Sequence, residues 1–440
     1  MKIRNLLEYP NLILNENHDS INKIETGSLN NGQYSTLNKI ENSLLLDRDV
    51  MGLNKLFYGF DYMKKEFVAS NTLYNIYIYN SNITNVRSLP PGKRLELNLD
   101  TKKKRITEIE NLSSIKPINI KEFDLDLFQT EIDNKLTEYF QSISKLHKGK
   151  KVFVCLSGGL DSSIIAYYAK KYFSQITAIT FTLTDSENIS NYNPKDFAEY
   201  ESHLSLNNVS NDYKKGLRFA IELDIPFLGV LVEKKINLNS LKKVLIHGQD
   251  YRDFNVHCAW VNYHLGKSVR NLYPNEEIVF LTGDLMNEFV ADYKTVKFEN
   301  NEYYKLPKLP NSKLNKILIN GLECGDREIG IFNYFNITTL QPFSSLVREY
   351  LKLPDEVLMK PNVKEYLNSN LIKNEYLRSF VNKSKVRAQV GGSDGGVLAL
   401  FVKNNIQQKD LKSLWEDIFY KIPIIDENFK TMIEFGQYKS

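Results

Sequence analysis

The chain has 440 residues, 42% hydrophobic and 25% charged, which predicts a folded protein of two domains and argues against disorder. Lys and Arg total 57 against 53 Asp and Glu, a formal charge of +4 spread along the chain, and this implies no nucleic-acid partner. Cys155, Cys258 and Cys324 are too few and too far apart for a disulfide framework or a Cys-x-x-Cys metal site, so a reducing cytoplasm fits. No stretch reaches the ~20 apolar residues of a membrane span, and Glu8 and Pro10 interrupt the start before any signal-like run, so no membrane association is expected.

In chain order, the first 110 or so residues carry short alternating segments, Asn75-Ile-Tyr-Ile-Tyr79 and Arg94-Leu-Glu-Leu-Asn98, separated by Asn-Gly and Pro-Pro-Gly turns, and read as a β-rich domain. Polar, Lys-rich sequence over 101–123 reads as a linker before a helix over 125–146. The expected division is 1–120 and 121–440. Strands are then predicted at 152–156, 176–183, 227–232 and 278–281, alternating with helices at 162–173, 212–223 and 256–269, and mostly helix follows residue 310. That alternation predicts an α/β domain with a parallel sheet covered on both faces, with ligand beyond the carboxyl ends of its strands.

The strongest local signal is Ser157-Gly158-Gly159-Leu160-Asp161-Ser162-Ser163, between a buried strand and a helix. Two glycines let the backbone approach a ligand, the helix start offers unpaired N–H groups, and the serines add hydroxyl donors, so phosphate belongs there. Asp161 repels phosphate and suits a Mg²⁺ that accompanies it. No Gly-Lys-Ser/Thr ending follows, which excludes a Walker A loop. A turn that simply favours Gly, Asp and Ser for capping is the alternative.

This string resembles the signature of the PP-loop ATP pyrophosphatases, and further segments resemble the asparagine synthetase branch of that superfamily. They are Ser210-Asn-Asp212 with Asp224-Ile-Pro226, Leu281-Thr-Gly-Asp-Leu-Met-Asn-Glu288, Gln341-Pro-Phe343, and Lys385-Val-Arg-Ala-Gln389 leading into Gly391–Gly396. Asp47-Arg48-Asp49 through Tyr58 and Leu89-Pro-Pro-Gly92 resemble fragments of a class II glutamine amidotransferase domain. The resemblance implies an adenine nucleotide alpha hydrolase-like sheet with flanking helices and a helical carboxyl-terminal part, preceded by a smaller Ntn-hydrolase-like α+β domain. Residue 2 is Lys2 and the first cysteine is Cys155, so the glutaminase nucleophile is missing and the front domain is expected to be degenerate, as in β-lactam synthetases and lasso-peptide cyclases.

By the same resemblance, ATP and Mg²⁺ are the cofactors. Leu156, Ser157, Gly158, Gly159, Asp161, Ser162, Ser163, Leu183, Thr282 and Gly283 bind the nucleotide, and Asp161, Asn287 and Glu288 meet the metal. Lys385 neutralises charge in the amide-forming transition state, with Arg387 sharing or taking that role, against the plain reading of solvated charges. Asp284 is a candidate acid–base residue or a cap after its strand, and Asp326 a base partner or half of a structural ion pair with Arg327. The expected reaction joins a small-molecule or peptide carboxylate to an amine through an acyl-adenylate. Ammonia as the amine, and an inactive nucleotide-binding partner protein, are the alternatives. The family often pairs, so a homodimer is compatible.

Overall fold

The computed structural model describes residues 2–6, 33–79, 83–185, 188–192, 209–293, 295–320, 326–381 and 396–419. Among the described residues, eight strands precede residue 110: β1 (Lys2–Leu6), β2 (Ser35–Ile40), β3 (Ser43–Arg48), β4 (Phe57–Asp61), β5 (Glu66–Ser70), β6 (Thr84–Ser88), β7 (Lys93–Asn98) and β8 (Lys104–Glu108). They form two four-stranded sheets, β1-β5-β4-β6 and β2-β3-β7-β8. Leu44, Leu46, Phe67, Leu95 and Leu97 close a small core with Leu37 and Tyr58. The Ile-Tyr alternation at 75–79 is not a strand. It lies in a short helix, Leu73–Tyr79, that buries Leu73 and Ile76 three residues apart, and its first free N–H donates to the Gln249 side chain at 2.9 Å. A partner distant in sequence thus overrides the local β preference.

The larger sheet contains β9 (Lys151–Cys155), β10 (Thr177–Thr184), β11 (Asn188–Tyr192), β12 (Phe227–Glu233), β13 (Ile278–Leu281) and β16 (Ile337–Leu340), with a separate small hairpin of β14 (Val296–Phe298) and β15 (Asn301–Tyr303) between the last two. Its order is β11-β12-β10-β9-β13-β16, and every pairing is parallel except β11 with β12. Side chains alternate between faces as the pleat requires. Val152, Val154, Val279 and Leu281 pack against the helices Leu125–Leu146 and Leu160–Tyr172, whereas Phe153, Ile278 and Phe280 meet the helix Asp253–Leu272 on the other side. Both faces are therefore covered, which is why these strands are apolar runs.

The predicted helices appear at Leu125–Leu146, Leu160–Tyr172, Asn211–Glu222 and Asp253–Leu272. Helix Leu238–Gly248 and strand β16 were not anticipated. Strand β9 lies between β10, to which the chain moves first, and β13, to which it returns later, so a crevice opens at the carboxyl end of β9. Among the described residues no helix is long and apolar enough to cross a membrane.

Three histidines contribute to the acid sensitivity of this fold: buried His147 and His257, and half-buried His247, which burial first and Lys243 second depress to about 4. Burial first, and Lys150 second, depress His147 to about 4, while burial alone depresses His257 to about 3. All three titrate near 6.5 in an unfolded chain, so the unfolded state binds more protons between pH 6.5 and 4 and stability falls as pH falls through that window. For His147 the loss is on the order of 3 kcal/mol by pH 4. Urea midpoints should drop from pH 7 to pH 4.5, and less steeply in His147→Gln; equal slopes would show that this residue does not carry the effect.

Candidate active site

The turn after β9 is built by close packing. Gly158 has φ +70°, and a Cβ there would lie 2.6 Å from the Lys215 carbonyl carbon. A Cβ on Gly216 would come within 2.3 Å of the Leu156 oxygen. The helix Asn211–Glu222 therefore presses on the turn through a glycine at each side, with Thr180 donating its hydroxyl to the same Leu156 oxygen. Within the turn, the Ser162 Oγ accepts from the Ser157 N–H at 3.2 Å and donates to the Gly159 carbonyl at 3.1 Å. The second loop comes just as close: a Cβ on Gly283 would sit 2.9 Å from the Ser162 nitrogen.

These loops open on a cavity of about 210 Å³. Leu156, Ser157, Gly159, Asp161, Ser162 and Leu183 line one half, with Ser210 and Asp212 from the following helix. Thr282, Gly283, Asp284, Asn287, Arg327 and Glu328 line the rest, walled by Cys258, Val261 and Leu265 from one face of the helix Asp253–Leu272. Cys155 also borders it, but burial pushes its thiol well up, so it is no thiolate nucleophile.

Two charge clusters organise the cavity. In the first, the Lys364 Nζ lies 2.9 Å from the Asp161 Oδ2, 3.1 Å from the Asn287 Oδ1 and 3.9 Å from the Asp292 Oδ2. Burial alone would depress this ammonium, but Asp161 and Asp292 outweigh it and the net direction is upward. In the second, Arg327 grips Asp284 through Nε at 2.7 Å and Nη2 at 2.5 Å, and Glu288 through Nη2 at 2.7 Å. Tyr293 donates to the same Glu288 oxygen at 2.5 Å. The Arg327 pair expected with Asp326 is instead made with Asp284 and Glu288.

Asp326 does not line the cavity. Its carboxylate accepts from the Glu328 N–H at 2.8 Å and the Gly330 N–H at 2.7 Å, shaping the turn that presents its neighbours. Glu328, not singled out from the sequence, does line it. Its Oε2 accepts from the Thr282 hydroxyl at 2.5 Å and the Gln341 amide at 2.8 Å. Burial first and the Asp284 charge second raise Glu328 to about 8, against the lowering effect of those two hydrogen bonds. Lys364 was missed as well, because nothing in its local sequence distinguishes it from other surface-type lysines. Lys385 and Arg387 lie outside the described residues.

Of the three candidate metal ligands, Asp161 and Asn287 come together and Glu288 does not. Among the described residues no three His, Cys, Asp or Glu are grouped to hold an ion. The Asp161 Oδ2 and Asn287 Oδ1 that would meet a Mg²⁺ arriving on phosphate both face the Lys364 ammonium, at 2.9 and 3.1 Å, so the ion would have to share or displace that contact.

Residues 141–213, which span β9, its turn and β10, match the family model described as asparagine synthase. Over β9, its turn and β10 the chain is therefore similar to the asparagine synthase family. Solved structures that resemble the chain include NMN synthetase from Francisella tularensis, at 12% identity over 72% of this chain and 93% of that one, with a TM-score of 0.25. Another is glutamine-dependent NAD+ synthetase from Acinetobacter baumannii in complex with ADP, at 15% identity over 64% of this chain and 45% of that one, TM-score 0.25. No curated protein matches the chain.

Proposed function

We propose that the chain is an ATP-dependent ligase that activates a carboxylate as an acyl-adenylate and joins it to an amine. The observation that carries this reading is the continuity of one cavity, from the Ser157–Ser163 turn at the carboxyl end of a parallel strand to the Arg327–Glu328 segment. A phosphate-binding turn and a proton-handling carboxyl then share a single chamber.

In this reading a substrate carboxylate oxygen attacks the α-phosphorus and the α–β bridging bond breaks. Pyrophosphate departs onto the turn, where main-chain N–H groups and the serine hydroxyls offset its charge. Asp161 and Asn287 would meet a Mg²⁺ accompanying the phosphates, which when bound would add to the neutralisation of their charge. The amine nitrogen then attacks the acyl carbon, Glu328 accepts the proton the nitrogen sheds, and AMP leaves. A base titrating near 8 is matched to that transfer at cellular pH. Arg327 keeps Asp284 engaged in a two-pronged ion pair beside this carboxyl. Lys385 is assigned the charge-neutralising role at the tetrahedral intermediate, shared with or taken over by Arg387.

The test is a screen of carboxylates and amines with the purified chain and Mg·ATP, reading AMP and pyrophosphate by mass spectrometry. An active pairing should release both, and Asp161→Ala should reduce release by about 10³-fold, the scale of losing a main electrostatic group. Release that continues unchanged in Asp161→Ala defeats the reading. Ammonium supplied as the sole amine separates ammonia-dependent amidation from transfer to an organic amine.

A further inference from the structure

Strand β16 ends the larger sheet, so one side of its backbone has no neighbouring strand among the described residues. The Leu340 carbonyl turns inward to the Thr282 N–H, and its neighbours Thr339 and Gln341 therefore point their main-chain groups outward. Both are buried, and exposed strand edges under protein must find partners. The partner is a side chain from the front of the molecule. The Gln33 amide donates through Nε2 to the Thr339 carbonyl at 3.3 Å and accepts through Oε1 from the Gln341 N–H at 2.7 Å. One side-chain amide thus stands where the peptide group of a seventh strand would lie.

Gln341 is also the residue whose Nε2 reaches the Glu328 carboxyl. We propose that Gln33 is a positioning residue for the reaction, fixing the Gln341 backbone so that the Gln341 side chain is aimed at the carboxyl of Glu328 in the cavity. The proposal rests on the reading of Glu328 as the proton acceptor. The same front region grips the segment from its other side. Buried Lys55 faces Asp326 two residues before Glu328, and the Gln249 amide, donating to the Asn71 carbonyl and accepting from the Leu73 N–H, adjoins Gly248, whose carbonyl accepts from the Asp326 N–H at 2.8 Å. The two small sheets, a region with no cysteine, thereby act as a template for the acid–base end of the site.

Glu328 itself faces Thr282 and Asp284 after β13, Arg327 beside it, Cys155 at the end of β9 and Gln341 after β16. Of these, Gln341 and Thr282 stabilise its ionised form by hydrogen bonding, so any change that swings the Gln341 amide away must raise the pH at which it ionises. A structural edge cap with no positioning role would leave that pH where it is.

The experiment follows the side-chain carboxyl carbon of Glu328 by NMR, in the full chain labelled with 5-¹³C-glutamate and assigned by its absence in Glu328→Gln. Gln341→Met and Gln33→Met, both close in volume to glutamine, should each raise the Glu328 midpoint by about one pH unit, and the double variant should raise it no further than Gln341→Met alone. A folded Gln33→Met with an unmoved midpoint, or additive shifts in the double variant, overturns the proposal. Should Gln33→Met fail to fold, Gln33→Asn keeps an uncharged side-chain amide but is one methylene too short to reach both Thr339 and Gln341, and it should raise the midpoint in the same direction; an unmoved midpoint in the folded variant overturns the proposal. Failure of the base reading has a separate signature: Glu328→Gln would keep full turnover with an amine substrate whatever the NMR midpoints show.

Discussion

Glu328→Gln should lose amide formation by about 10²–10⁴-fold while still forming the acyl-adenylate, because only the second step needs a proton acceptor. The glutamine amide fills the same volume beside Thr282 and Gln341 but takes no proton. Two measurements separate the steps. Exchange of labelled pyrophosphate into ATP reports adenylation and should survive, whereas amide product should nearly vanish. Hydroxylamine, which is unprotonated at neutral pH, should restore trapping of the acyl group as hydroxamate. In the unmodified chain the amide-forming rate should climb as pH rises through about 8, where Glu328 ionises, and that rise should be absent from the residual rate of the variant. Loss of pyrophosphate exchange together with amide formation would mean that Glu328 serves the nucleotide half of the cavity instead.

Lys364→Met should destabilise the fold by about 3–5 kcal/mol, the scale of stranding one partner of a buried ion pair. Lys364 is 2% exposed and Asp161 5%, and the ammonium lies 2.9 Å from the Asp161 carboxylate. Methionine replaces most of the hydrocarbon stem, so the loss is one of charge rather than of volume. Chemical denaturation at pH 7 should show the midpoint fall with little change in slope. Adding Asp161→Asn should recover part of the loss, since an uncharged amide has a much smaller burial penalty than a buried carboxylate that has lost its ammonium. Equal stability of Lys364→Met and the double variant would show that Asp161 is not the group left stranded.

The Ser157–Ser163 turn was legible because its signal is local. Ser157 through Ser163 fall between an apolar run and a helical period, and glycine, serine and aspartate at a strand-to-helix junction have few other joint uses. The long helices and the strands of the larger sheet were legible for a similar reason, since continuous apolar runs and 3.6-residue periodicity follow from burial on two faces or one. Where a short segment carried both patterns, as at Leu73–Tyr79, the docking of its first N–H on Gln249 decided the outcome.

By itself, then, the sequence determined the class of sheet and the glycine-serine turn that joins β9 to its helix, both of which depend on neighbours along the chain. Tertiary structure alone decided which acids and bases meet. Asp326 and Glu328 are two residues apart, yet the first faces main-chain N–H groups and the second faces the cavity. The partners that define the site are 46 residues apart for Thr282 and Glu328, 203 for Asp161 and Lys364, and 308 for Gln33 and Gln341. A buried charge or amide is stabilised by whichever complementary group the fold delivers, and separation along the chain does not enter that energy.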